Sequence, residues 1–330
     1  MISAPVVGNV AVIPREDGSN QVDIHYDLSS ADGDSCTIWV AVSDDGGTSW
    51  RVPARTFTGD VGEGIAPGRN RTVVWDAGAD ETGATGNVAA CVYAEEDHGP
   101  APMVMVQAGP FPYQNATDPE QWVFVESFLI DKYEVTNRFY CQFLNDMDSD
   151  GDHWEDKMEI DRCGEPGSHS YTVQPGKEDY PVRYVNLYDA QAFAAWRSGV
   201  EGATYRLPTE QEWEKAAAWD PVRKHHYRYG FQQDTIDSTW CNYNYNVGRP
   251  TEVGHYDGTG GTRNAVSYYG CYDMSGNVLE WCATPYGVLR GGAWARFGNP
   301  GHYCRCTTRH GPAPTTRNNW YGFRLARNLD

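Results

Sequence analysis

The sequence predicts an α+β chain of two domains, an all-β sandwich followed by a mixed, loop-rich domain. Three observations carry that expectation. Short apolar runs rich in β-branched residues, divided by Asp-Gly and Gly-Gly pairs, fill the first hundred residues. Helix start signals appear only from Thr136 onward. A glycine turn with a carboxylate at each end, Asp273 and Glu280, stands late in the chain. A length of 330 residues is also more than one ordinary core fills.

The first domain is read as residues 1–97. Val10 to Ile13, Val22 to Tyr26, Cys36 to Val40 and Thr72 to Trp75 have the composition of strands. Their spacing suggests a sandwich of immunoglobulin or fibronectin type. Cys36 and Cys91 both fall on strand-like runs, and a disulfide between the two sheets is the simplest pairing. The apolar segment from Val6 to Ile13 is either the sandwich's own first strand or an edge offered to a neighbouring subunit. Residues 98–102 break the pattern and read as a linker, and residues 103–330 form the second domain.

In the second domain a helix is expected after Thr136, with Phe139, Tyr140, Phe143 and Leu144 as its inner stripe. Asp146, Asp148, Asp150 and Asp152 then alternate around Gly151 like the first half of a calcium loop. Lys157 stands where a twelfth-position glutamate would close it, so Glu155 or Glu159 would have to serve. A solvated acidic loop is the plain alternative. Asp189 is expected to cap a helix through Trp196, and Thr209 with Glu212 forms a capping box for another. At the late turn, Asp273, Glu280 and the carbonyls of Gly276 and Val278 have the spacing to wrap one hard cation. The alternative is a turn and strand with Val278 and Trp281 packed inward.

Composition narrows the function. A net charge of −19 argues against nucleic acid, whose phosphates require a basic face. No run approaches the ~20 apolar residues of a membrane span. The opening Met1-Ile2-Ser3-Ala4-Pro5 has no basic start and no apolar signal core, which fits a cytosolic protein or a mature terminus. Nine cysteines favour an oxidising, extracellular or cell-surface setting with disulfides.

Segments 128–137, 205–214, 270–282, 290–294 and 321–325, taken in that order, resemble the formylglycine-generating-enzyme family. This sulfatase-modifying-factor domain is a variant of the C-type-lectin fold, and the resemblance covers roughly residues 102–330. It implies calcium at the Asp273/Glu280 turn and a second calcium site at Asn242 and the Tyr243 carbonyl. Enzymes of the family oxidise a cysteine through copper held by two thiolates, five positions apart, shortly after the Arg-Gly-Gly turn. Here those positions read Arg296 and Gly301, neither of which binds Cu(I) through sulfur. Cys304 and Cys306 remain nearby as a soft-metal pair or as disulfide partners, with Cys282 to Cys304 the first guess. The ergothioneine-type sulfoxide synthases share this domain but add a histidine triad on a helical partner, and the nine histidines here are scattered.

The expected product is a non-catalytic, calcium-stabilised extracellular structural or binding protein that engages a protein partner, its own copies or a glycan. The binding surface would carry Trp294, Arg296, Phe297, His302, Tyr303, Arg317 and Trp320, aromatic and arginine groups of the kind that concentrate binding energy. A copper oxidase and a monomeric lectin-like module are the alternatives.

Overall fold

Alternation of apolar and polar side chains builds the first part of the chain. In the computed structural model, which describes residues 5–82, 87–96, 102–295 and 299–329, β1 (Val6–Pro14), β2 (Gln21–Ser29), β4 (Phe57–Gly59) and β6 (Gly68–Asp76) form one sheet in the order β1-β2-β6-β4. β3 (Cys36–Ser43), β5 (Gly62–Ile65) and β7 (Ala89–Glu96) form another in the order β5-β3-β7. Every second residue of β2 (Val22, Ile24, Tyr26, Leu28) is buried, and both sheets feed one core that includes Val40, Val73, Trp75 and Val92. The Trp75 indole donates to Asp80 at 2.9 Å, which satisfies its polar edge inside that core. The Asp-rich turns close on themselves. Asp45 accepts from Ser43 and twice from Ser49, and these bonds hold its carboxyl down to about 2.

The expected Cys36–Cys91 disulfide is corrected by strand register. Both residues lie in the same sheet, on the neighbouring strands β3 and β7, and remain thiols. Cys36 stands opposite Glu96 and Cys91 opposite Ala41, so the two are five positions out of register. At ~3.3 Å per residue that offset is about 17 Å, far beyond the span of a disulfide.

The chain divides into two compact units, Met1–Pro110 with Phe124–Leu129 and Asn328–Asp330, and Phe111–Val123 with Ile130–Arg327. Three helices organise the second unit. α1 (Asn137–Met147) begins at Thr136, whose hydroxyl accepts from Phe139, and buries Phe139, Tyr140, Phe143 and Leu144 as the periodicity requires. α2 (Leu187–Glu201) is capped by Asn186, with Asp189 as the third helical residue of a capping box rather than the cap itself. It ends at Gly202 in the left-handed conformation. α3 (Glu210–Ala218) starts at the Thr209/Glu212 capping box. Phe139, Tyr140, Phe143, Phe193, Trp196 and Phe323 form one aromatic core, with ring centroids 5.2 to 6.3 Å apart.

Candidate functional site

The late glycine turn runs into a hairpin, Leu279–Cys282 paired antiparallel with Val288–Arg290, and Tyr321–Gly322 joins it in parallel. The backbone of the turn is held from two sides. Gly276 donates to the Gly291 carbonyl at 2.8 Å, and Asn277 donates to the Asn242 carbonyl at 2.9 Å. A side chain at Gly276 would meet that carbonyl at 2.5 Å, and its φ of +93° suits glycine alone.

Glu280 is fully buried and already engaged. Arg324 donates to its two oxygens at 2.6 and 2.7 Å, and the Trp213 indole donates at 2.8 Å. The remaining Arg324 donors reach the carbonyls of Asp131, Lys132 and Tyr272, so this buried pair is satisfied on both sides. Glu134 lies buried beside it, accepting from the Asn277 side chain at 2.6 Å and the Val278 amide at 3.1 Å. Asp273 accepts from the Gly254 amide at 2.6 Å. Burial pushes the Asp273 carboxyl up to about 6. Burial, followed by the charges of Asp273 and Glu280, pushes Glu134 well above its ordinary range. Three buried carboxylates thus share one guanidinium.

The calcium expectation meets this geometry unevenly. The Glu280 oxygens serve Arg324 and Trp213, so Asp273 and Glu280 do not converge on an ion with the carbonyls of Gly276 and Val278 as the sequence suggests. Asn242 is different: its side-chain amide donates to the Arg249 carbonyl at 2.8 Å, but its buried Oδ1 has no partner among the described residues. An orphaned oxygen and surplus buried negative charge are what a hard cation would relieve. Tyr243 is half-buried, and its amide is taken by Asn246 at 2.9 Å.

The acidic loop after α1 spreads its carboxylates apart. Asp146 accepts from the Trp196 indole at 3.0 Å, while Asp148 is buried and accepts from the His153 amide and the Tyr171 hydroxyl. Asp150 and Asp152 are exposed. Among the described residues, no three or more His, Cys, Asp or Glu side chains gather closely enough to hold a metal.

Behind this loop lies a knot that the sequence did not single out. The buried Asp189 carboxylate receives Arg317 through two bonds of 2.7 Å, His153 at 3.0 Å and the Asn186 amide at 2.8 Å. Arg317 also donates to the carbonyls of Asp152 and Trp154. The bond to Asp189 raises the pKa of the His153 imidazole above its ordinary value.

The expected binding surface is partly core. Trp294 is only 8% exposed, and Arg317 is spent in the knot just described. His302 is exposed, and Tyr303 and Trp320 are half-buried. Arg296 and Phe297 lie outside the described residues. Tyr245, absent from the expected surface, stands 50% exposed and packs edge-on against Trp294 at 5.5 Å. The Gly301 carbonyl accepts from the Tyr229 hydroxyl at 2.9 Å.

Cys304 and Cys306 are buried thiols, and burial raises both, Cys304 to about 12. Neither has the character of a reactive thiolate. The expected Cys282–Cys304 disulfide is corrected as well, since both residues are free thiols. Cys282 pairs across the hairpin with Val288, whereas Cys304 packs on Gly292, four positions farther along.

Comparison with known proteins places this geometry. The description "Sulfatase-modifying factor enzyme 1-like domain" matches residues 89–329. The serine/threonine-protein kinase pkn1 of Chlamydia pneumoniae is 30% identical over 262 residues, 69% of this chain and 38% of the kinase. Hercynine oxygenase of Mycolicibacterium smegmatis is 30% identical over 251 residues, 63% of this chain and 54% of the oxygenase. Inactive C-alpha-formylglycine-generating enzyme 2 of Mus musculus is 28% identical, over 63% of this chain and 77% of its own. The chain therefore spans about half, or less, of the kinase and oxygenase relatives. The crystal structure of CarF superposes with a TM-score of 0.52 at 19% identity, covering 70% of this chain and 99% of that one, a likeness of fold. Relatives named as enzymes overturn the expectation that the chain is not an enzyme. With the match running over well more than half of its length, the chain belongs to the sulfatase-modifying factor enzyme 1-like domain family.

Proposed function

We propose that the second unit is a ligand-recognition platform, stabilised by calcium, and that its chemistry is not thiolate–copper oxidation. The observation that carries the reading is the exposed Tyr245 ring packed edge-on at 5.5 Å against the nearly buried Trp294, with His302 exposed on the short helix Pro300–Tyr303 that follows in the chain. Rigid aromatic groups anchored in a core give large contact area at low entropic cost. The family's relatives include an oxygenase and an inactive enzyme, so a recognition role is compatible with catalysis supplied by other residues or other domains. The copper reading lacks its ligands, because positions 296 and 301 are arginine and glycine. We read the first unit as an immunoglobulin- or fibronectin-like module, and the setting as extracellular.

The test has two arms. Thermal-shift screening against small molecules and peptides should find ligands whose stabilising effect is lost in His302→Ala, and ligands indifferent to that change would refute the platform. For calcium, a chelator should lower the melting temperature of the wild type and leave Asp273→Asn unmoved. An unchanged wild-type curve would remove calcium from the reading.

A further inference from the structure

We propose that the turn at residues 243–246, together with Trp294, is a site for an uncharged glycan, with Tyr245 as the platform for one sugar ring. The inference deepens the recognition reading above and rests on it. Four observations meet at this turn. Asn246 donates to the Tyr243 carbonyl at 3.0 Å, closing a four-residue turn whose two central residues, Asn244 and Tyr245, have φ of +54° and +61°. Successive left-handed residues are the mark of a turn that takes Asn-Gly, and a tyrosine at the second place is strained.

That strain is not offset by burial, since Tyr245 is half exposed and touches Trp294 only edge-on. Its amide donates to the Trp294 carbonyl at 2.7 Å, so turn and indole are fixed to each other. Trp294 is more than nine-tenths buried, and its indole N–H has no acceptor among the described residues. The exposed aromatic face of Tyr245 and the exposed carboxamide of Asn244 match the C–H face and hydroxyls of a pyranose. The turn holds no charged side chain, and a chain of net charge −19 disfavours an anionic sugar.

Gluco-, manno- and chito-oligosaccharides are to be titrated into the whole protein by calorimetry, alongside Tyr245→Gly and His302→Ala. Glycine relieves the left-handed strain, so Tyr245→Gly should melt at or above the wild-type temperature. Its affinity for the bound sugar should fall roughly tenfold, the scale of one lost aromatic contact. A sugar whose affinity falls with His302→Ala but not with Tyr245→Gly overturns this site while leaving the platform standing. Binding of no neutral sugar at about 10 mM overturns the site. So does a lower melting temperature for Tyr245→Gly, which would give the ring a packing role, and so does capture of peptides alone.

Discussion

Arg317 and Asp189, 128 residues apart in sequence, meet in a two-pronged ion pair with both bonds at 2.7 Å. The same guanidinium holds the backbone at Asp152 and Trp154, so one side chain ties the acidic loop to the start of α2. Asp189→Ala should cost about 3 kcal/mol in denaturant unfolding, because it leaves a part-buried guanidinium without its counter-charge. Arg138 and Asp179 form a contrasting pair, with half or more of each side chain exposed. Removing Arg138 should change stability by no more than about 0.5 kcal/mol. Equal losses at the two sites would show that the knot is not a stabilising element.

His153 gives this knot a pH dependence. Its folded pKa is raised by the Asp189 hydrogen bond, with Asp148 acting the same way and Arg317 opposing. The stabilisation is therefore complete below the ordinary histidine value of about 6.5 and is lost as pH rises through the higher folded value. The melting temperature of the wild type, relative to His153→Gln, should fall between about pH 6 and pH 8. A constant difference would mean that the imidazole acts in one protonation state only.

Gly292 separates backbone strain from collision. Its φ is +77°, and an added methyl group would stand 2.7 Å from the Cys304 sulfur and 2.8 Å from the Cys304 α-carbon. Gly176 has nearly the same φ, +74°, with open space around it. Gly176→Ala should cost about 1 kcal/mol, from strain alone. Gly292→Ala should cost at least about 3 kcal/mol or fail to fold. Trimming the sulfur with Cys304→Ala should not rescue it, because the collision with the backbone of residue 304 remains.

Thiol accessibility checks the corrected cysteine reading. Cys163 is exposed, whereas Cys271, Cys282, Cys304 and Cys306 are buried. Iodoacetamide added to the native protein should label Cys163 first and these four only after unfolding, as read by peptide mass mapping. A Cys282–Cys304 linked peptide in the unreduced digest would contradict the structure.

Local signals in the sequence carry through to the fold, and distant ones do not. The Thr209/Glu212 box and the stripe on α1 depend on neighbours three and four positions away, so both are legible from the chain itself. Asn186 and Asp189 are both cap-type residues, and only the backbone decides which one caps α2. The Asp273/Glu280 spacing suggests a cation, but Glu280 is claimed by Arg324, 44 residues later, and nothing in a single sequence announces that partner. The Cys36–Cys91 expectation identifies strand-forming residues correctly and fails on register, which side-chain pattern alone leaves open. Tyr245 escapes notice because an exposed tyrosine is ordinary until its left-handed backbone is known.

The buried pairs also set an order on synthesis. Asp131, Asp189 and Glu280 emerge from the ribosome well before Arg317 and Arg324, which two of them need as counter-charges in the finished core. Until residue 324 is made, a collapsed second unit would enclose uncompensated carboxylates, so the nascent domain stays open while the two sheets of β1 to β7 are already complete. A premature stop anywhere between Glu280 and Arg324 therefore yields a chain that cannot shelter its own acids, and cells would clear it rather than keep a shortened but folded domain.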